Sequence, residues 1–198
     1  EKTGALHRAS VFSFASVFVS FALSIKDMEE VFGRIREREG VVLTADFTKP
    51  KHGETIFDLA GVLSCLDVVF INENEAASLT GKKDPLENVL AFWRHGAGTV
   101  VIKTGKEGCL LAPGKEKKIY QVPAMPGITC LDSTGAGDCF AAGFLWAMAE
   151  GYDLVDCARF GNAVASMSIE RLGATEGITS LLEAGKRFAR IPKAYQVL

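Results

Sequence analysis

Apolar positions along this chain alternate between two periods. Val11 to Leu23, VFSFASVFVSFAL, is a β-branched and aromatic run that reads as a buried strand. It is too short to cross a bilayer as a helix, which takes about 20 apolar residues. Arg8 before it and its small residues resemble a signal peptide, but a charged helix follows at once with no convincing cleavage site. Asp27 to Glu39 sets Met28, Val31, Phe32 and Ile35 at helical spacing, and Gly40 is expected to stop that helix. Val41 to Ala45 is a short apolar run ending at Asp46. Helix-like Thr55 to Leu66 leads to Val68 to Ile71, ending at Asn72, and a helix over Pro85 to His95 leads to Thr99 to Ile102. Such alternation predicts right-handed βαβ units and a parallel sheet covered by helices.

The order then changes. Cys109 to Ala112 and Lys117 to Val122 read as strands joined by a turn at Pro113-Gly114, and a loop over Pro123 to Asp132 follows. Helices are expected over Gly135 to Glu150, Leu154 to Leu172 and Ser180 to Ala189. No repeat, low-complexity tract or linker divides the chain, so a single α/β domain over residues 1–198 is expected.

Composition narrows the function classes. The 198 residues carry 22 Lys+Arg against 24 Asp+Glu, a formal net charge of -2, with 48% hydrophobic residues. That balance excludes a strongly basic nucleic-acid binder and a mostly disordered chain, and the length suffices for a core without metals or disulfides. Five cysteines, at 65, 109, 130, 139 and 157, form no Cys-x-x-Cys pair, as in a cytoplasmic protein with reduced thiols. His7, His52 and His95 have no ligand-like spacing, so zinc is not expected.

In open parallel sheets ligands bind beyond the carboxyl ends of the strands. Asp46, Asn72, Thr104 and Gly105 each stand at or just beyond the end of such a run. The strongest signal is Asp132-Ser133-Thr134-Gly135-Ala136-Gly137-Asp138, opening the small-residue helix Cys139-Phe140-Ala141-Ala142-Gly143-Phe144. Ser or Thr there can cap the helix, and the glycines let another group approach the backbone. Open amides with the helix dipole suit phosphate oxygens or a developing anion. Asp138, in the first turn, can accept a proton from an alcohol attacking a phosphate. The plainer alternative is a capped helix with small residues for close packing.

The stretch LDSTGAGDCFAAGF resembles the C-terminal signature of ribokinase-like carbohydrate kinases, the PfkB family. The resemblance implies a three-layer α/β/α sandwich with a mostly parallel sheet. It makes Asp138 the catalytic base and gives the anion hole to the amides of Gly135, Ala136 and Gly137. The family's usual Asp-Thr opening is Asp132-Ser133 here, with Thr134 next. Asn72-Glu73-Asn74-Glu75 is similar to the family's Asn-x-x-Glu motif, which implies that Asn72 and Glu75 act on Mg2+ through its waters; alone, the same residues would read as a capping box. Lys103-Thr104-Gly105-Lys106-Glu107-Gly108 resembles the family's nucleotide-lining turn, implicating Lys103, Thr104, Gly105 and Gly108, with Lys106 solvated. A weaker likeness at Phe160-Gly161-Asn162-Ala163, followed by Arg171-Leu172-Gly173-Ala174-Thr175, places Asn162 near adenine, although a backbone carbonyl would satisfy a buried Asn equally well. In some members K+ lies beside the anion hole, which would involve Asp132 and Thr134; a nearby family position that is often Ser is Gly177 here. Asp46-Phe47-Thr48-Lys49-Pro50 stands where the family often has Asp-Pro-Asn, and Lys51, His52 and Glu54 read as a solvated connection.

The resemblance implies ATP-dependent transfer of the γ-phosphate to a primary hydroxyl of a sugar or sugar-like small molecule, with no nucleic-acid or membrane partner. A non-catalytic nucleotide-binding or regulatory module of the same fold is the alternative. A Walker P-loop, a G-x-G-x-x-G fingerprint and a G-x-S-x-G elbow are absent. The likeness runs from about Val11 to Ala184 and maps to the C-terminal two-thirds of a typical member. The N-terminal acceptor-gripping segment and the lid, through which family dimers pair, have no counterpart in these residues. That leaves a homodimer open, and a chain of only these residues is expected to bind nucleotide weakly and phosphorylate little.

Overall fold

The computed structural model describes residues 9–19 and 23–198; His7 and residues 20–22 of the expected first strand lie outside that set. By its contacts the chain divides into two compact units, Glu1–Val101 and Ile102–Leu198.

In the first unit, β1 (Val11–Val17), β2 (Val42–Phe47) and β3 (Val68–Asn72) lie side by side and parallel. β4 (Thr99–Lys103) comes next in that order and carries the chain across the unit boundary. The expected alternation is therefore present. The apolar runs of β3 and β4 are buried up to their last residue, as strands covered on both faces should be. β1 departs from the expected buried strand, since Val17 is its one fully buried residue. It has β2 as its sole partner among the described residues, and its end is bent by a register shift between Phe14 and Val17 with Ser16 at φ +58°.

Helix α1 (Ile25–Arg36) joins β1 to β2 and buries Met28 and Phe32. A capping box starts it, with Ser24 Oγ accepting from the Asp27 amide and Asp27 accepting from the Ser24 amide. It ends at Arg36, before the expected Glu39, and Gly40 at φ +72° serves the turn beyond the helix instead of its cap. The helix expected over Thr55 to Leu66 divides into a 3-10 turn at Ile56–Leu59 and α2 (Ala60–Ser64). Two helices, α3 (Glu73–Thr80) and α4 (Pro85–Arg94), connect β3 to β4 where the pattern predicts one. α3 was hidden because Ala76 and Leu79 are its only buried residues, too few to print a period.

Asp67 ties the entrances of the strands together. Its Oδ2 accepts from the Leu43 amide at 2.8 Å and pairs with Arg36 Nη2 at 2.6 Å. Its own amide donates to Leu43 O at 2.8 Å, and its carbonyl accepts from the Thr99 amide at 2.7 Å. One residue thus sets the starting register of three neighbouring strands.

In the second unit, β5 (Cys109–Pro113), β6 (Tyr120–Val122) and β7 (Tyr195–Gln196) pair antiparallel. β6 starts later than the expected Lys117, because the amides of Glu116 and Lys117 both donate to Pro113 O and Lys117 sits at φ +55°, extending the turn. Helices α5 (Ala136–Ala149) and α6 (Leu154–Ser168) pack through glycines. A Cβ on Gly143 would lie 2.7 Å from Val164 Cγ2, and one on Gly161 would lie 2.9 Å from Phe140 O, so side chains at either site would push the helices apart. α7 (Leu181–Arg190) is capped by Ser180, whose Oγ accepts from the Glu183 amide at 3.2 Å. α6 stops at Ser168 instead of the expected Leu172, and the next carbonyl, that of Ile169, receives amides from a distant loop. Among the described residues no helix is long and apolar enough to cross a membrane.

Asp67→Ala removes the acceptor of the amide of Leu43, a residue 1% exposed, and the partner of Arg36. The expected cost is about 1–3 kcal/mol, read as a lower urea midpoint at unchanged m-value. Asp67→Asn, which keeps an acceptor for Leu43, loses less; equal losses would show that the carbonyl oxygen at this position is not what matters.

Candidate functional site

The loop that leads into α5 is held by one carboxylate. Asp132 Oδ1 accepts from the Thr134 amide and Oδ2 from the Gly173 amide, each at 2.9 Å. The main chain reinforces the tie, with the amides of Leu131 and Asp132 donating to Ile169 O at 2.7 and 3.2 Å. Residues 131–134 are thereby fastened to the segment that follows α6. The Gly173 amide first, and then Thr134, hold the Asp132 carboxyl down at about 2.

The expected Ser or Thr cap does not form. Gly135 is the residue at the helix start, at φ +73°, with no side-chain cap, while the Ser133 carbonyl accepts from the Ala136 amide at 3.2 Å. Gly135 is required twice over, by its left-handed backbone and because a Cβ there would lie 2.8 Å from Ala174 Cβ. The consequence is an open helix start. After that of Ala136, the next amide to bond back is that of Cys139, to Gly135 O at 2.8 Å, and those of Gly137 and Asp138 find no acceptor among the described residues. Asp138 is exposed and accepts no hydrogen bond among them.

Lys103, the last residue of β4, stands against this helix start: a Cβ on Gly137 would lie 3.0 Å from Lys103 Nζ. Beyond it the chain makes a closed turn. The Thr104 amide donates to Gly108 O at 2.9 Å, a 3-10 turn covers Gly105–Glu107, and the Gly108 amide donates to Gly105 O at 3.0 Å. Thr104 Oγ1 is buried with no hydrogen-bond partner among the described residues. Gly105, at φ +59°, faces open space, whereas a Cβ on Gly108, at φ +96°, would lie 2.1 Å from Val122 O. Gly108 is thus a packing glycine, and Lys106 is exposed.

Asn162 is 7% exposed, and its Nδ2 donates to Val122 O at 3.2 Å and Pro123 O at 3.0 Å. Both amide protons are spent tethering α6 to the end of β6, the carbonyl arrangement that a buried Asn can satisfy unaided. Gly177 packs against Met167, where a Cβ would lie 1.9 Å from the carbonyl oxygen, so no hydroxyl-bearing side chain fits without movement.

The first unit's candidates are built separately. Asn72 and Glu75 form a capping box at the start of α3: Asn72 Oδ1 accepts from the Glu75 amide at 2.9 Å, and Glu75 Oε2 accepts from the Asn72 amide at 3.0 Å. Glu75 Oε1 stays outside the box. Asp46 lies in β2 opposite Phe70, and Lys49 is exposed. Glu54 orders its loop by accepting from the amides of Lys51 at 3.0 Å and His52 at 2.8 Å. Among the described residues no three His, Cys, Asp or Glu side chains converge on a metal position.

Residue-by-residue reading missed the partners that hold the helix start, namely Gly173, Ala174 and the Ile169 carbonyl. The available signal was the pair Gly173 and Gly177 directly after an apolar helix, a spacing that marks close backbone approach.

The second unit of this α/β protein thus presents an uncapped helix start with a lysine against it and an exposed first-turn carboxylate. Residues 2–181 match the family described as pfkB family carbohydrate kinase, and the chain belongs to that family. A cytidine kinase of Thermococcus kodakarensis is 31% identical over 156 residues, 77% of this chain and 56% of the relative. A nucleoside kinase of Methanothermobacter thermautotrophicus is also 31% identical, over 79% of this chain and 48% of its own length. This chain therefore spans about half the length of those curated relatives. A crystal structure described as a putative ribokinase II from E. coli in complex with ATP and Mg2+ superposes with a TM-score of 0.76 at 23% identity, covering 94% of this chain and 60% of that one. The chain has the ribokinase-like α/β fold.

The Asp132 carboxyl is depressed in the folded protein to about 2, below the roughly 3.9 of a free aspartate. Its stabilising contribution is complete above about pH 4 and is lost as pH falls through about 2. Asp132→Asn is expected to erase that part of the acid-unfolding curve, followed by circular dichroism between pH 5 and 1.5. An unchanged curve would show that the two amide contacts carry no net preference for the charged form.

Proposed function

We propose that this chain is the nucleotide-and-catalysis portion of a carbohydrate kinase domain, transferring the γ-phosphate of ATP to a primary hydroxyl of a sugar or nucleoside. The observation that carries the reading is the uncapped start of α5, where, among the described residues, the Gly137 and Asp138 amides lack acceptors beside an exposed Asp138 carboxylate with no hydrogen bond. As the acceptor oxygen attacks the γ-phosphorus, its proton passes to the Asp138 carboxylate and the bond to the β-phosphate oxygen breaks, releasing ADP. The amides of Gly135, Gly137 and Asp138 donate to the charge on the transferring group, aided by the helix dipole, while that of Ala136 stays on Ser133 O. Lys103 adds positive charge at the same helix start, and the open backbone at Gly105 with the unsatisfied Thr104 hydroxyl supports a nucleotide-facing turn. Asn162 and Gly108 shape that region from within.

Mg2+ supplies charge neutralisation of the phosphates when bound. Glu75 Oε1 and the Asn72 side-chain amide remain outside the capping box, which fits contact through the waters of a hydrated Mg2+. K+ fits less well. Both Asp132 oxygens already accept backbone amides, Thr134 is exposed, and Gly177 admits no hydroxyl side chain, so no step is assigned to K+.

The test is Asp138→Asn in the full-length protein that carries this chain, with ADP release measured over nucleosides first and then ribose, fructose and keto-deoxy sugar acids. Turnover is expected to fall about 100-fold or more at retained ATP binding. Turnover surviving within about tenfold would overturn Asp138 as the base. ATP binding with no turnover on any acceptor by the unaltered protein would favour a nucleotide-binding module.

A further inference from the structure

The segment that receives the helix-start loop is itself anchored from behind by α7. Arg187, its side chain 16% exposed, reaches from α7 to the end of α6. Its Nη2 pairs with Glu170 Oε2 at 2.6 Å and its Nη1 donates to Ser166 Oγ at 3.1 Å, while Nε reaches Glu183 Oε1 at 3.3 Å on its own helix. Ser166 in turn donates to Ala163 O at 2.7 Å, so the guanidinium grips the helix at a residue whose hydroxyl is already oriented. The planar fork suits this multiple grip in a way that a lysine ammonium does not.

Glu170 follows Ile169 directly, and the Ile169 carbonyl accepts the amides of Leu131 and Asp132. Three residues beyond Glu170, the Gly173 amide donates to Asp132 Oδ2. Residues 169–173 run between the α7 anchor on one side and the anion loop on the other. They lie past the last helical turn of α6, and among their amides that of Ile169 alone continues its pattern, donating to Ala165 O at 3.3 Å. Their other ties are local, as in the Arg171 amide donating to Ser168 O at 3.4 Å.

We infer that Arg187 is a positioning residue for the start of α5, acting through Glu170 on the segment that holds Asp132 and hence on the amides of Gly137 and Asp138. It touches none of the reacting groups. For its effect on phosphoryl transfer the inference rests on the proposed kinase reading; for its effect on the loop it does not. A misplacement of catalytic amides by an ångström is enough to cost up to about a hundredfold in rate, so a residue this remote can matter to turnover without contacting substrate.

The experiment compares Arg187→Ala, Arg187→Lys, Glu170→Gln and, as a control on the exposed face of the same helix, Arg190→Ala, all in the full-length protein. Amide hydrogen exchange at Leu131, Asp132 and Gly173 is the primary readout, and needs no activity. Arg187→Ala and Glu170→Gln are expected to speed exchange there about tenfold or more, with Arg187→Lys between them and the unaltered protein, and Arg190→Ala without effect. Exchange at those amides unchanged in a folded Arg187→Ala or Glu170→Gln protein, or raised equally along all of α6 and α7, overturns the inference. In the active protein kcat is expected to fall about tenfold in Arg187→Ala with KM for ATP within about twofold; a rise in KM at constant kcat would overturn the link to the helix-start amides. Local exchange that responds in a protein with no turnover on any acceptor upholds the positioning role while removing the kinase reading.

Discussion

The Asp132 carboxylate is the joint on which the second unit's candidate site depends. Its oxygens accept amides from Thr134 on its own loop and from Gly173, some forty residues along the chain. Hydrogen bonds to an ionised acceptor are among the stronger contacts available to a loop, and here they replace the side-chain cap that the helix lacks. If Ser133 or Thr134 capped α5, a hydroxyl would occupy the first-turn amides. With the loop held from Asp132 instead, Gly135 can turn left-handed against Ala174 and leave those amides open. The opening is therefore a product of the clamp.

Two aspartates six positions apart receive opposite environments from this arrangement. Asp132, with backbone amides on both oxygens, is held at a pKa of about 2 and carries its charge at any ordinary pH as a structural acceptor. Asp138, exposed and without a hydrogen-bond partner among the described residues, has no comparable claim on it. Sequence alone presents the pair as two acids flanking a glycine motif. Their surroundings separate a fixed backbone acceptor from an exposed carboxylate with no hydrogen bond among the described residues, though both sit in one short segment.

Much of the first unit was legible because its signals are local. Short apolar runs ending at a polar residue mark β2, β3 and β4, and Met28, Val31, Phe32 and Ile35 at helical spacing mark α1. What escaped was short or set by distant partners. α3 carries too little apolar surface to show a period, and β7 is a two-residue strand whose existence depends on β6 beside it. The end of α6 was misplaced because Arg171 and Leu172 continue a helical pattern, while the Ile169 carbonyl is taken by amides from residues 131 and 132. At the site, the motif located Asp138 and its glycines; the absence of a cap and the ties to Gly173 belong to tertiary contacts that no local spacing encodes.

The glycines of the candidate motifs divide in a way that changes what such motifs mean. Gly108, Gly135 and Gly177 each face protein, with a Cβ meeting Val122 O, Ala174 or Met167 O at under 3 Å. A side chain there would break the packing that builds the site. Gly105 faces open space, and at Gly137 a Cβ would first meet the end of the Lys103 side chain, at 3.0 Å. At these two positions an added methyl would intrude on whatever approaches the backbone. A glycine-rich motif read as a single ligand-binding feature is thus two sets of constraints laid over one another. One set lets distant segments close on the loop, and the other keeps the loop's outer surface bare. Only the second set bears on a ligand directly, and it is the smaller of the two.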